Sequence, residues 1–329
     1  MTIPTITLSS TEEDIAKALH DACTTVGFFY LEGHSIPHPL LDDVFEQSKQ
    51  LFALPLEKKN SLSDPILTRG YTRFEEETLD PENQPNRGDT KEGFYIGDEV
   101  PPEETDASKL KGPNVWPQPS ADCKQLTHDQ CTAFRNTMER YRMEATRVCM
   151  QLVRCFALAV SSSEDPHLFD QYFTRPQTFI RLLHYSCEPS DEENGLYACG
   201  AHSDYGMITL LLTDDNPGLQ VKMEDGSWID IPPKRGAFVV NIGDMFERWT
   251  NGKFRSTVHR VITPMDAKNE RYSVPFFLDP NFDALVECLE SCCSEDNLSK
   301  YPPVTAGQHV LNMYAKTHSD FEHLGKKKE

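Results

Sequence analysis

A chain of 329 residues, 38% hydrophobic and 26% charged, has the composition of a soluble globular protein and length enough for one elaborated domain or two ordinary ones. Its formal net charge of −20 argues against non-specific nucleic-acid binding, which needs Lys and Arg to neutralise phosphates. With no run of about 18 apolar residues and no basic, apolar leader at the N-terminus, we expect no membrane span, a cytoplasmic location, and ten cysteines that are reduced thiols rather than a disulfide framework.

In chain order, Ser10 is expected to cap a first helix, with Glu13 reaching back to it and Ile15, Ala18, Leu19 and Ala22 at helical spacing. The apolar run 26–31 reads as a buried strand, the turn at Gly33 follows, and a second helix is predicted over Pro39 to Phe52. From Asn60 to Gln125, Pro, Gly, Asp and Asn dominate, so loops with short strands are expected, including one over Gly93 to Gly97. A long irregular connection in a compact enzyme is often functional. Arg69, Tyr71, Arg73, Lys91 and Phe94 are therefore candidates for a pocket rim. Thr127 and Gln130 form a second capping box and open the longest helix, which becomes continuously apolar toward Ser161, as suits a scaffold laid on a sheet.

Beyond Thr178 the pattern changes to short strands between turns: 179–185, 207–212, 219–222, 228–231, 237–241, 257–262 and 272–277. That spacing predicts a double-layered antiparallel barrel with helices outside or at its ends. A last helix is expected near Gln308 to Tyr314.

The chemistry is concentrated in this second half. His202 and Asp204 lie two apart in an extended segment ahead of the apolar strand around Leu210, so both side chains can enter one pocket. His259, on a later strand, offers a third ligand. Two imidazoles and a carboxylate on one side of a metal, with open positions opposite, form the facial triad of non-haem Fe(II) oxygenases. The tripeptide recurs as His318-Ser319-Asp320, but on a polar tail beside a lysine run, which reads as solvated surface. Arg271 and Ser273 share one face of a predicted strand, where a guanidinium and a hydroxyl can grip a carboxylate together.

His202-Ser203-Asp204, Asn241-Ile242-Gly243-Asp244, Thr250-Asn251-Gly252, the segment Ser256 to Val261 and Arg271-Tyr272-Ser273 appear in an order that resembles the 2-oxoglutarate- and Fe(II)-dependent dioxygenase superfamily. Gly27-Phe28-Phe29 and Gly33-His34-Ser35-Ile36 resemble the N-terminal region of its isopenicillin N synthase-like branch. The resemblance implies a mainly β fold with flanking helices and a double-stranded β-helix (distorted jelly-roll) core. Residues 1–120 would form an N-terminal region integral to that fold, 121–175 a scaffold helix, 176–280 the jelly roll, and 281–329 C-terminal loops and a helix. It further implies Fe(II) on His202, Asp204 and His259, 2-oxoglutarate on Arg271, Ser273 and Tyr185, O2 as oxidant and ascorbate as a stimulant. Relatives often carry Asn at Leu183, so one donor to the co-substrate is absent here.

The expected reaction is oxidation of an unactivated C–H bond of a small organic metabolite by a monomer, by hydroxylation, desaturation or oxidative cyclisation, with release of succinate and CO2. Arg69, Tyr71, Phe94, Phe246 and Phe277 are candidate substrate contacts, and cations among aromatics suggest a metabolite that carries a carboxylate. An iron oxidase of the same fold that does not use 2-oxoglutarate, a zinc hydrolase on the same ligands, and a catalytically silent binding module stand as alternatives.

Overall fold

The computed structural model describes residues 2–160 and 165–317. The chain begins with β1 (Thr5–Thr7), α1 (Glu12–Thr25), β2 (Phe28–Glu32), α2 (His38–Phe52) and the short α3 (Leu56–Asn60). Three strands follow, β3 (Ser63–Asp64), β4 (Arg69–Thr72) and β5 (Lys91–Ile96), and then the long α4 (His128–Val160). The second half holds β6 (Gln177–Tyr185), β7 (Cys199–His202), β8 (Ile208–Thr213), β9 (Leu219–Lys222), β10 (Trp228–Asp230), β11 (Phe238–Ile242), α5 (Asp244–Trp249), β12 (His259–Val261), β13 (Arg271–Asp279) and α6 (Ala306–Thr317).

A nine-stranded sheet runs β1-β2-β11-β8-β13-β6-β5-β4-β3, and a four-stranded sheet, β10-β9-β12-β7, faces it. The N-terminal strands thus extend the same sheet that carries the centre of the jelly roll. Period-2 alternation sorts the side chains. On β13, Tyr272, Val274, Phe276 and Leu278 enter the core shared with α1, α2 and α4. By parity Arg271, Ser273, Phe277 and Asp279 turn the opposite way, into the space between the sheets. Likewise Ile180 and Leu182 of β6 join the helix-side core, whereas Leu183 and Tyr185 belong to the inter-sheet core with Phe28, Val221 and Val261. Pro275 cannot donate to a ladder, and the β13–β6 pairing skips it between Ser273↔Leu183 and Phe276↔Ile180.

Several details differ from the expectations. Thr11, not Ser10, caps α1, accepting from the Asp14 backbone at 3.2 Å. Strand β7 was not expected, because Cys-Gly-Ala-His lacks the large apolar side chains that mark a strand. Cys288 and Cys293 are joined as a disulfide, contrary to the expectation of free thiols throughout; the other eight are free. The Thr127–Gln130 box closes as expected, at 3.1 Å (Thr127 N to Gln130 Oε1) and 3.2 Å (Gln130 N to Thr127 Oγ1). Ser161 and the second His-Ser-Asp, at 318–320, lie outside the described residues. Among the described residues no helix is long and apolar enough to cross a membrane.

Candidate active site

His202 ends β7 and His259 begins β12, and the two are direct cross-strand partners. Their ring centroids stand 4.3 Å apart. Asp204 follows in the loop leading to β8, and ligand atoms of His202, Asp204 and His259 all lie within 4.8 Å of one another.

Each of the three side chains is held by the atom it turns away from the cluster. The Nδ1 of His202 faces the Gly200 carbonyl at 2.8 Å, and that of His259 faces the Thr257 carbonyl at 3.2 Å. A carbonyl can only accept, so each Nδ1 carries the proton and each Nε2 keeps its lone pair free. Asp204 Oδ2 accepts from Thr209 Oγ1 at 2.6 Å and from Asn241 Nδ2 at 2.7 Å. Its Oδ1 is left toward the two Nε2 atoms, 3.9 Å from His202 and 3.7 Å from His259. Such outer contacts orient ligands and tune their basicity. Burial opposes the Asp204 charge, but His259, His202 and the two donors together hold its carboxyl below the usual range. Burial, reinforced by His202, pushes His259 down to about 4, so its imidazole is neutral at physiological pH and fit to bind a metal.

The floor beneath β7 is ionic. Asp89 contacts Lys91 and accepts from the Gly200 backbone at 2.9 Å, which braces the residue whose carbonyl fixes His202. Lys91 also meets Glu77 at 2.9 Å, and Arg181 meets the same carboxylate oxygen at 2.6 Å. Lys91 is therefore interior and structural, not on a rim.

Arg271, 6% exposed, stacks on Tyr185 at 4.8 Å between guanidinium carbon and ring centroid. Its Nε and Nη1 are buried without a hydrogen-bond partner. Ser273 Oγ, on the same strand face, lies 3.4 Å from the Tyr185 hydroxyl. A buried guanidinium with two orphaned donors costs stability, a cost that a carboxylate brought against it would remove. The nitrogen and oxygen donor set of the triad suits Fe(II), and the orphaned cation suits a keto-acid.

A cavity of about 80 Å³ opens beside the triad, with Tyr95, Phe179, Arg181, Tyr205, Phe277, Asp279 and Tyr314 among its lining. Of the five candidate substrate contacts, only Phe277 is there. Phe246, on α5, is fully buried and packed against Phe156, Phe169 and Phe254. Phe94 points into the helix-side core against Phe134, and Tyr71 is sealed there with its hydroxyl on Glu92 at 2.6 Å. Arg69 bonds the Leu67, Thr68 and Leu110 carbonyls and lines a larger cavity of about 390 Å³, which shares only Phe179 with the first. Parity would have found three of the missed residues, since Phe179 and Arg181 share the Tyr185 face of β6, and Asp279 shares the Arg271 face of β13.

Asp279 is buried, with Oδ1 accepting from the Met207 backbone at 3.1 Å. Burial pushes its carboxyl up to about 7, the Met207 N–H counteracts, and the Asp204 charge adds to the rise.

A two-sheet jelly roll with two histidines and a carboxylate at its mouth defines a class, the non-haem metal oxygenases. Residues 3–119 match the model for the non-haem dioxygenase N-terminal region named from morphine synthesis, and residues 176–280 match that of the 2OG-Fe(II) oxygenase superfamily. The chain is 34% identical to a 2-oxoglutarate-Fe(II) type oxidoreductase, hxnY, of Emericella nidulans, over 94% of this chain and 86% of the relative. It is 35% identical to clavatol oxidase claD of Penicillium crustosum, over 91% and 89% respectively. Full-length Neurospora crassa T7H in complex with alpha-KG and thymine superposes with a TM-score of 0.80 at 30% identity, covering 95% of this chain and 97% of that one. The chain belongs to the 2-oxoglutarate/Fe(II) oxygenase superfamily. It is a 2-oxoglutarate-dependent dioxygenase that uses Fe(II) and acts on small molecules, and the oxidase and silent-module alternatives are not favoured.

Proposed function

We propose that His202, Asp204 and His259 hold the ferrous ion, and that Arg271, with Ser273 and Tyr185, binds the distal carboxylate of 2-oxoglutarate. The observation that carries this is the Arg271 guanidinium, buried with Nε and Nη1 unpartnered and on one strand face with Ser273. Leu183 sits across the ladder from Ser273 and offers no donor, so the carboxylate is gripped by Arg271 and the two hydroxyls alone. Iron bound at the triad, with 2-oxoglutarate and O2, supplies the oxidant for an unactivated C–H bond and releases succinate and CO2.

The protein's own part is positional. Thr209 and Asn241 turn Asp204 so that one oxygen faces the histidines, and the inter-sheet apolar core around Phe28, Val221 and Val261 backs the centre with water-free surface. A cavity of about 80 Å³ favours a compact substrate, in line with the thymine named in the Neurospora complex. We take the protein to act as a monomer in the cytoplasm. Hydroxylation is the primary outcome, with desaturation or cyclisation where a second C–H or a nucleophile lies close.

Adding 2-oxoglutarate to the anaerobic Fe(II) protein should produce a visible metal-to-ligand charge-transfer band, and O2 should then yield succinate. Absence of the band in the wild type, or a band of undiminished strength in His202→Ala, overturns the assignment.

A further inference from the structure

Two carboxyl groups other than the proposed ligand Asp204 line the cavity beside the triad, and they differ in one respect. Glu77 is matched by cations, at 2.6 Å from Arg181 and 2.9 Å from Lys91. Asp279 has no Lys, Arg or His nitrogen within 4.0 Å among the described residues. Its Oδ1 takes the Met207 N–H at 3.1 Å, while its Oδ2 has no partner and is not among the fully enclosed unpartnered atoms, so it opens to the cavity. The approach is built for it: a Cβ on Gly206 would stand 1.7 Å from Asp279 Oδ1, so only glycine lets the carboxyl lie there.

We propose that Asp279 is a substrate-binding residue, and that the substrate is a small flat ring bearing an N–H donor, a lactam or heteroaromatic N–H, rather than a carboxylic acid. This rests on the assignment of iron and 2-oxoglutarate above. A substrate carboxylate in this space would join Asp279 and Asp204, while the guanidinium in the lining, Arg181, is ion-paired with Glu77 and its orphaned Nε is enclosed rather than open to the cavity. Burying like charges together is strongly unfavourable. An N–H directed at Oδ2 forms a charge-assisted hydrogen bond instead and draws the carboxyl to its ionised form. Phe179, Phe277, Tyr95, Tyr205 and Tyr314 supply faces for a flat ring.

The test uses the full chain as its anaerobic Fe(II)–2-oxoglutarate complex, titrated by calorimetry with 2-pyridone, thymine, their N-methyl counterparts and benzoate. We expect at least one N–H compound to bind at least about tenfold more tightly than its N-methyl counterpart, as loss of a charge-assisted bond of roughly 1.5–3 kcal/mol implies. Benzoate should bind more weakly than either N–H compound. Asp279→Asn, which turns a donor toward the N–H, should abolish that preference and admit benzoate, and the smaller Asp279→Ser should abolish the preference as well. Retention of the charge-transfer band reports that each variant is folded. Failure of both N–H compounds to bind, indifference to N-methylation, tighter binding of benzoate, or a preference that survives both substitutions overturns the proposal. A wild type that gives the charge-transfer band but lacks the N–H preference defeats this proposal alone; a wild type without the band defeats the assignment beneath it.

Discussion

Arg271→Met removes the cation while keeping most of its length, and two quantities should move in opposite directions. In the wild type without co-substrate, Nε and Nη1 are buried and unbonded, at a cost of roughly 1–3 kcal/mol each. Stacking on Tyr185 at 4.8 Å returns roughly 0.5–2 kcal/mol. The variant should therefore be more stable than the wild type, by at most about 5 kcal/mol, when neither metal nor 2-oxoglutarate is present, a rise of several degrees in Tm. With metal and 2-oxoglutarate at about a hundredfold excess over Kd the variant's advantage should shrink by about 2 kcal/mol. Ligand stabilisation, about 2.7 kcal/mol at that excess, would be retained by the wild type and largely lost by the variant, whose affinity should fall at least about a hundredfold for two charge-assisted bonds. Differential scanning calorimetry of both proteins with and without Mn(II) and 2-oxoglutarate gives all four values. A variant that is destabilised without ligand, or that keeps the full 2-oxoglutarate-dependent rise, refutes the view of Arg271 as a guanidinium awaiting a carboxylate.

Asn241→Leu, which takes one of the two donors from Asp204 Oδ2, should weaken Mn(II) or Fe(II) binding about 10–100-fold with little loss of fold, as calorimetric titration would register. Gly206→Ala should push the Asp279 carboxyl aside, because its Cβ would stand 1.7 Å from Oδ1; substrate-stimulated succinate formation should fall while the charge-transfer band persists. The metal-free protein should also show a pH signature at Asp279. Its folded pKa of about 7 lies above the unfolded value of roughly 3.9, so the wild type is fully stable with respect to this group at low pH and loses stability as pH rises from about 4 to 7. Asp279→Asn should therefore raise Tm at pH 8, by at most about 4 kcal/mol of stability, and leave it nearly unchanged near pH 4; equal effects at both pH values would contradict the burial argument.

The proposed metal ligands were legible because period-2 spacing put His202 and Asp204 on one side of an extended segment and His259 on a second strand. The jelly roll was legible for the same reason, and most predicted strands fall within two residues of those observed. The pocket wall was not. Choosing aromatics by proximity to motifs picked Phe94 and Phe246, whose positions send them into the helix-side core, and passed over Phe179 and Asp279, whose parity sends them inward. Strand β5 carries Lys91 and Glu92, which look solvated in one dimension; Lys91 is buried against neighbouring Asp89 and the more remote Glu77, and Glu92 against Lys59 and His184, which lie far from it in the chain. Contacts of that range leave no periodic trace. The Cys288–Cys293 disulfide depended on a tight local turn rather than on spacing typical of a framework.

His202 and His259 stand opposite each other on β7 and β12, strands separated in the chain by β8 to β11. A slip of one residue between them would turn one imidazole outward, and the remaining two side chains would retain the ion poorly. On the proposed ligand set, iron uptake would therefore report whether that edge of the smaller sheet has aligned.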